Sequence, residues 1–313
     1  MAFLLSVATL GLLPPGSRSV LAAPTSTVSR YEETVNTSTL FNQGSAAHDM
    51  SGIVVLDFGQ PYYQNGTYGT WNWSNQFFSI AQITAAAESW LQGWYVSTNN
   101  YSNYMRLAVG TSNDFGYTGN AHGKAWAAMV NNINAWLATP PSFLGSEIAW
   151  GGIDAETEWS DPTTTMAWAN GYAVNLSCPN GACNYYVDYG DAGGCPAYYT
   201  GTDSPCNGSW LQGHVQYMAW GVRPAYPLPE VYFNPPPGSR VNANQWQAIA
   251  LDSYYFWGGA MYPFGSMTSY AASGNSSSYN QPSQGWQELQ DAMNSNTHTV
   301  ETLGWATDVT WAN

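Results

Sequence analysis

The chain of 313 residues carries 20 acids against 6 Lys and Arg, a net charge of −14, with only 8% charged residues in all. Six scattered bases cannot build the basic face that nucleic-acid binding needs, and an acidic surface is repelled by anionic membranes. Hydrophobic residues at 44% and aromatics at 15% supply a core and exclude disorder over most of the length.

Phe3–Leu13 (FLLSVATLGLL) is an apolar run of signal-peptide length, and Val20-Leu21-Ala22 offers a small-residue cleavage site. No Lys or Arg stands between Met1 and Phe3, a departure from the signal pattern. Residues 1–22 are expected to be a signal peptide, which makes the protein secreted, extracellular or associated with the cell wall. No later run reaches the ~18 apolar residues of a membrane span. Residues 23–48 are rich in Thr, Ser and Asn and read as an N-terminal tail. Residues 49–313 read as one folded domain.

From residue 52 onward, apolar strand-like runs alternate with helical patterns. GIVVLDFG (52–59), MRLAVGT (105–111) and EIAWGGIDAE (147–156) read as strands. Residues 77–94 and 122–137 place apolar side chains at helical spacing. Asp161-Pro162 is an N-cap followed by proline at the first helical position. Further strands are expected at 185–190, 215–222, 229–233, 259–266 and 303–311, with helices at 242–257 and 282–295. The alternation predicts an α/β fold, and eight strands predict an irregular (β/α)8 TIM-type barrel in a single domain. Only RPAYPL separates the fifth and sixth strands, too short for a parallel crossover. That helix is missing, or one of the two strands is misread. A doubly wound open sheet is the alternative.

Four cysteines allow three pairings. Cys178 and Cys183 flank PNGA, a turn sequence, and Cys195 and Cys206 flank a Gly/Pro/Tyr/Thr loop. Each pair closes a local loop, so 178–183 with 195–206 is the expected pairing. Neither CxxC nor HExxH occurs, and no metal or cofactor is expected.

Four acids, Asp154, Glu156, Glu158 and Asp161, fall within eight residues of this charge-poor chain. In a strand Asp154 and Glu156 point to one side, with Cα atoms roughly 6.6 Å apart. A turn and a capped helix follow, so the pair belongs at the carboxyl end of the strand, the catalytic rim of barrel enzymes. Two adjacent carboxyls in a partly dry rim cannot ionise equally, which yields an acid beside a base. Glycoside cleavage uses that division of labour. The bland readings are a solvated loop or a structural calcium site. Asp57, directly after Val-Val-Leu, and Asp188, inside YYVDYG, need a partner or a purpose. Both are candidates to complete the site. Glu230 opens PEVYF and is expected at an amino end, in a structural role. Asp252, on a helix, is set aside.

Aromatic rings offer flat apolar faces and polar tips for sugars. Tyr62, Trp71, Tyr189 and Trp220 are the chosen substrate-binding candidates. A first-strand aspartate, a later D-x-E at a strand end and a secreted irregular barrel resemble the family 25 lysozyme-like glycoside hydrolases. They also resemble the related glycoside hydrolase-like domains of the DUF1906 group. The resemblance implies that Asp57 is the first-strand aspartate, and that Asp154 and Glu156 are D-x-E with the glutamate as acid. The expected function is hydrolysis of a cell-wall or extracellular polysaccharide, or of peptidoglycan, by a monomer. The alternative is a non-catalytic, carbohydrate-binding or envelope-associated barrel.

Overall fold

The computed structural model describes residues 21–98, 102–114, 116, 119–139, 146–234, 236 and 240–312. The expected signal run at Phe3–Leu13 lies outside them. The described chain opens with β1 (Thr27–Tyr31), α1 (Thr37–Ala46) and β2 (Gly52–Asp57). A three-stranded antiparallel sheet follows: β3 (Gln60–Gln64), β4 (Thr67–Trp71) and β5 (Phe77–Ser79). Next come α2 (Ile80–Ser97), β6 (Met105–Ser112), α3 (Asn120–Leu137), β7 (Glu147–Asp154) and α4 (Pro162–Ala173). Then follow β8 (Tyr186–Asp188), α5 (Gln212–Gln216), β9 (Ala225–Pro227) and α6 (Val241–Phe256). The chain ends with β10 (Gly265–Thr268), α7 (Pro282–Met293) and β11 (Trp305–Trp311).

Eight strands pair in parallel in the order β10-β11-β1-β2-β6-β7-β8-β9. The two ends meet at one irregular seam. Phe264 N–H donates to Pro227 O at 3.0 Å, Met267 N–H to Pro229 O at 2.9 Å, and Val231 N–H to Met267 O at 2.9 Å. The result is a nearly closed TIM-type α/β barrel in a single domain, as the alternation predicts. The irregularity has a covalent reason: Pro227 and Pro229 have no N–H, so they contribute to the seam through their carbonyls alone.

Several expected elements are corrected. Residues 23–48 are not a tail, because they hold β1 and α1. β1 pairs with β11 on one side and β2 on the other. Its inward residues are polar because they hydrogen-bond there: Ser29 Oγ lies 2.7 Å from Thr307 Oγ1 and accepts from Val55 N–H at 2.8 Å. Residues 215–222 are helical, as α5 running into a π-helical turn at Tyr217–Gly221. Val215, Met218, Ala219 and Val222 are buried at helical spacing. This supplies the crossover between β8 and β9, and β9 falls within RPAYPL. At 229–233 the expected strand is reduced to one parallel bridge between Glu230 and Met267. Both disulfides join the expected partners, Cys178 with Cys183 and Cys195 with Cys206. They fit an oxidising, extracellular setting. Among the described residues no helix is long and apolar enough to cross a membrane.

Six of the 16 tryptophans build the layer between barrel and helices. Trp90, Trp94, Trp126, Trp168, Trp246 and Trp286 are buried there. Several also satisfy their indole N–H: Trp126 donates to Val109 O at 2.9 Å and Trp94 to Met50 O at 3.1 Å. Inside the barrel, Trp150, Tyr226, Phe264 and Trp305 plug the amino end, with ring centroids 4.3–6.2 Å apart. Above them Ile53, Val55, Ala108, Val187 and Met267 form an apolar layer. The acids stand on that layer, at the carboxyl ends of the strands.

Candidate active site

Strand alternation decides which acids face the interior. Ile53 and Val55 point inward, so Asp57, at the end of β2, does too. Its Oδ1 accepts from Gly59 N–H at 2.6 Å, and its Oδ2 accepts from the Tyr189 hydroxyl at 2.9 Å. Tyr189 crosses the barrel to reach it. Gly110 and Gly152 leave it the room: a Cβ on Gly110 would stand 2.3 Å from the Tyr189 hydroxyl oxygen, and one on Gly152 2.8 Å from its ring. Tyr189 is therefore buried beneath the site and is not an exposed sugar platform.

Asp154 ends β7 on the same inward side and is 1% exposed. Glu156 follows two residues later and is only partly buried. Asn113, just past β6, fixes this segment with three bonds. Its backbone N–H donates to Asp154 O at 3.0 Å, its side-chain Nδ2 donates to Glu156 O at 2.9 Å, and its Oδ1 accepts from Glu156 N–H at 3.1 Å. Opposite stands Glu230, 5% exposed, hydrogen-bonded to the Tyr232 hydroxyl. One carboxylate oxygen each from Asp154, Glu156 and Glu230 lie within 4.8 Å of one another. Asp154 Oδ1 and Glu230 Oε1 are buried without a hydrogen-bond partner.

The expectation for Glu230 is thus corrected. The true strand, β9, ends before it, so Glu230 lies on the carboxyl side and joins the acids. A signal for it was present, an isolated acid in the apolar stretch PLPEVYF, the same signal that singled out Asp57. Asp188 is corrected in the opposite sense. Its neighbours Val187 and Tyr189 face the interior while Tyr186 packs toward the helices, so Asp188 turns outward. Its Oδ1 accepts from Gly190 N–H at 3.2 Å, and it also bonds the Ala155 backbone. That ties β8 to the end of β7. Asp161 caps α4 as expected, accepting from Thr164 N–H at 2.9 Å. Glu158 accepts from Asn207 at 2.5 Å and holds the disulfide loop.

The ion pairs seen among the described residues, His48–Asp49 and Arg240–Asp291, involve none of these acids. Burial therefore dominates their chemistry. It pushes Glu156 up to about 8, with Asp191, Glu158 and Asp114 adding to the rise. Asp154 is raised well above the carboxylate range, by burial first and then by Glu230, Glu156 and Asp57. Glu230 is raised likewise by burial, then by Glu156 and Asp191. Asp57 reaches only about 6, because the Gly59 and Tyr189 bonds favour its charged form against burial. The site is a graded set: one acid ionised near neutrality and held from below, and three above it that keep protons.

An aromatic rim surrounds the set. Tyr31 and Trp311 end the paired strands β1 and β11, with centroids 4.8 Å apart. Trp73 packs on both at 6.3 Å and on Trp159 at 6.2 Å. The Tyr31 phenol is raised by burial and then by Asp154 and Glu230, so it borders the acids. Trp73 Nε1 is buried without a partner. Of the expected platforms, Trp220 lies at the other end of the barrel, against Tyr226 and Tyr262. Tyr62 and Trp71 pack on each other at 5.0 Å, and Tyr62 also on Phe77, in the hairpin sheet after β2. Trp73 stands in the aromatic segment after the first strand, from which sequence reasoning picks Tyr62 and Trp71 instead, and it misses Trp311, because nothing local separates either from the other tryptophans.

Chemically, the set can donate a proton from Glu156 above Asp57, the one acid of the four that carries charge near neutrality. The oxygens of Asp154, Glu156 and Glu230 could also ligate a hard divalent cation. No family model, no curated protein and no solved structure matches the chain.

Proposed function

We propose that the chain is a secreted glycoside hydrolase acting on a cell-wall or extracellular polysaccharide. One observation carries the reading. Glu156, partly exposed and with its pKa raised to about 8, stands within 4.8 Å of two buried carboxyls at an aromatic barrel mouth. A neutral carboxylic acid can protonate a leaving glycosidic oxygen; a carboxylate cannot.

In this reading a sugar stacks on the Tyr31–Trp73–Trp311 rim and gives a hydroxyl to the rim's polar atoms. Glu156 donates its proton to the bridging oxygen as the bond from that oxygen to the anomeric carbon breaks. Asp57, the acid ionised near neutrality, supplies the negative charge that stabilises the positive charge developing at the anomeric carbon, while the protonated Asp154 and Glu230 orient the substrate's hydroxyls. Water adds its hydroxyl to that carbon, and its proton restores the acid set. Asp57 and Tyr189 hold the floor. The acidic chain and the uncharged rim favour an uncharged glycan over a polyanion.

The test is a hydrolysis screen of the mature protein on peptidoglycan, chitin, β-glucan and α-glucan, with product release as the readout. Cleavage of one polymer supports the reading. Retention of a glycan with no cleavage of any transfers the assignment to the non-catalytic binding barrel.

A further inference from the structure

A second aromatic cluster lies far from the acids. α6 ends on four consecutive aromatics, Tyr254, Tyr255, Phe256 and Trp257, each 38–50% exposed. A helix end commonly buries some of such a run; here all four face solvent. Tyr199, from the loop closed by Cys195–Cys206, packs on Tyr255 at 5.1 Å and on Phe256 at 6.5 Å. His298 stacks on Tyr254 at 4.1 Å. Contiguous exposed aromatic surface of this kind marks an interaction site more often than chance. The end of α6 leads into the amino end of β10, whereas the acids stand at the carboxyl ends of their strands.

Polar capacity behind the rings is unspent. Asp252 is fully buried and neither of its oxygens has a partner. It shares one helix face with Tyr255 and Phe256, at i+3 and i+4, and its charge reaches the Tyr199 phenol. Gln212 is also fully buried, with both side-chain polar atoms unpartnered. It stands one turn before Gln216, whose amide bonds Ser253, the neighbour of Asp252. The next residue, Gly213, lies against Trp257: a Cβ there would stand 2.9 Å from that ring. Rings outside and unsatisfied hydrogen-bonding groups inside are the two halves of a sugar site.

We propose that Tyr199, Tyr255 and Phe256, with Asp252 and Gln212 behind them, form a second, non-catalytic binding site for a neutral polysaccharide chain. Charge selects this occupant. A net charge of −14 repels a second copy of the chain and an anionic lipid surface alike. The cluster's exposed rings are mostly phenols, which suit hydroxylated partners better than a dry protein interface. The choice of polymer rests on the glycan reading of the barrel mouth, but binding is measurable without hydrolysis. Such a site would hold the protein on an insoluble substrate while the distant mouth works.

The experiment uses the full chain carrying Glu156→Gln, which leaves the α6 surface untouched. It is sedimented with insoluble chitin, β-glucan and α-glucan particles. Retention on one polymer, weakened about tenfold or more by adding Tyr199→Ala and Tyr255→Ala, supports the site. The Phe pair at the same positions should restore retention, and Asp252→Asn should weaken it without loss of folding. Equal retention with and without the Ala pair overturns the proposal, as does retention on none of the three. Loss of a dimer on gel filtration, or of binding to phosphatidylserine vesicles, caused by the Ala pair without an effect on polymer, overturns it in favour of those partners. If the wild-type chain cleaves no glycan yet the Ala pair still releases it from a polymer, the hydrolase reading falls and this site stands.

Discussion

Tyr189 spans the barrel to donate a hydrogen bond to Asp57 Oδ2 at 2.9 Å, over two glycines that have no side chain to block it. The bond joins β2 to the segment just past β8, strands that are not neighbours in the sheet. It also keeps Asp57 the least raised of the interior acids, at about 6.

Tyr189→Phe removes the donor and keeps the ring. A buried hydrogen bond to a charged acceptor contributes about 1.5–3 kcal/mol. The variant should lose about that much stability at pH 7, measured by urea unfolding. The loss should shrink below pH 6, where Asp57 carries a proton and the bond becomes neutral. A loss independent of pH would mean that Asp57 is not charged in the native protein.

Stability of the whole chain should fall as pH rises. Asp57, Glu156, Asp188 and Glu147 have folded values of about 6, 8, 8 and 9, all above their ordinary 3.8 or 4.5. The native state thus binds more protons than the unfolded chain across that interval, so the slope of stability against pH is negative. The contribution is complete below about pH 4 and is lost as pH climbs through 6 to 9. Each such proton steepens the fall by about 1.4 kcal/mol per pH unit. Thermal melts from pH 5 to pH 9 check this; a midpoint that rises over that range contradicts the assignment.

Asn113 is a positioning residue. It holds the Glu156 backbone with a 2.9 Å and a 3.1 Å bond. Asn113→Ala should lower kcat about 10–100-fold with little change in KM, because the acid loses its placement and the rim does not. A change confined to KM would assign Asn113 to binding instead.

How much of this was legible in the sequence depends on which face a strand shows. β7 was readable because apolar residues run to Asp154 and a capped helix follows. β1 was hidden because its inward residues are Thr27 and Ser29, polar groups satisfied by cross-strand bonds that no local pattern reveals. The run 215–222 was ambiguous because a short apolar stretch fits strand and helix alike. Misplacing it moved Glu230 to the amino end of the barrel and Trp220 to the carboxyl end, the reverse of where they stand. Asp188 shows the finer limit. A strand-end acid announces burial, but one residue of register decides whether it faces the interior or the helices.

The central claim, that Glu156 is the acid, is tested most directly by the pH-rate profile of the native chain beside Glu156→Gln on whichever glycan is cleaved. The account predicts a native rate that falls above about pH 8, where Glu156 loses its proton. It predicts that Glu156→Gln keeps the fold and binding but turns over about 10²–10⁴-fold more slowly, with that alkaline limb gone. Cleavage by Glu156→Gln at the native rate, with the same alkaline limb, would contradict it.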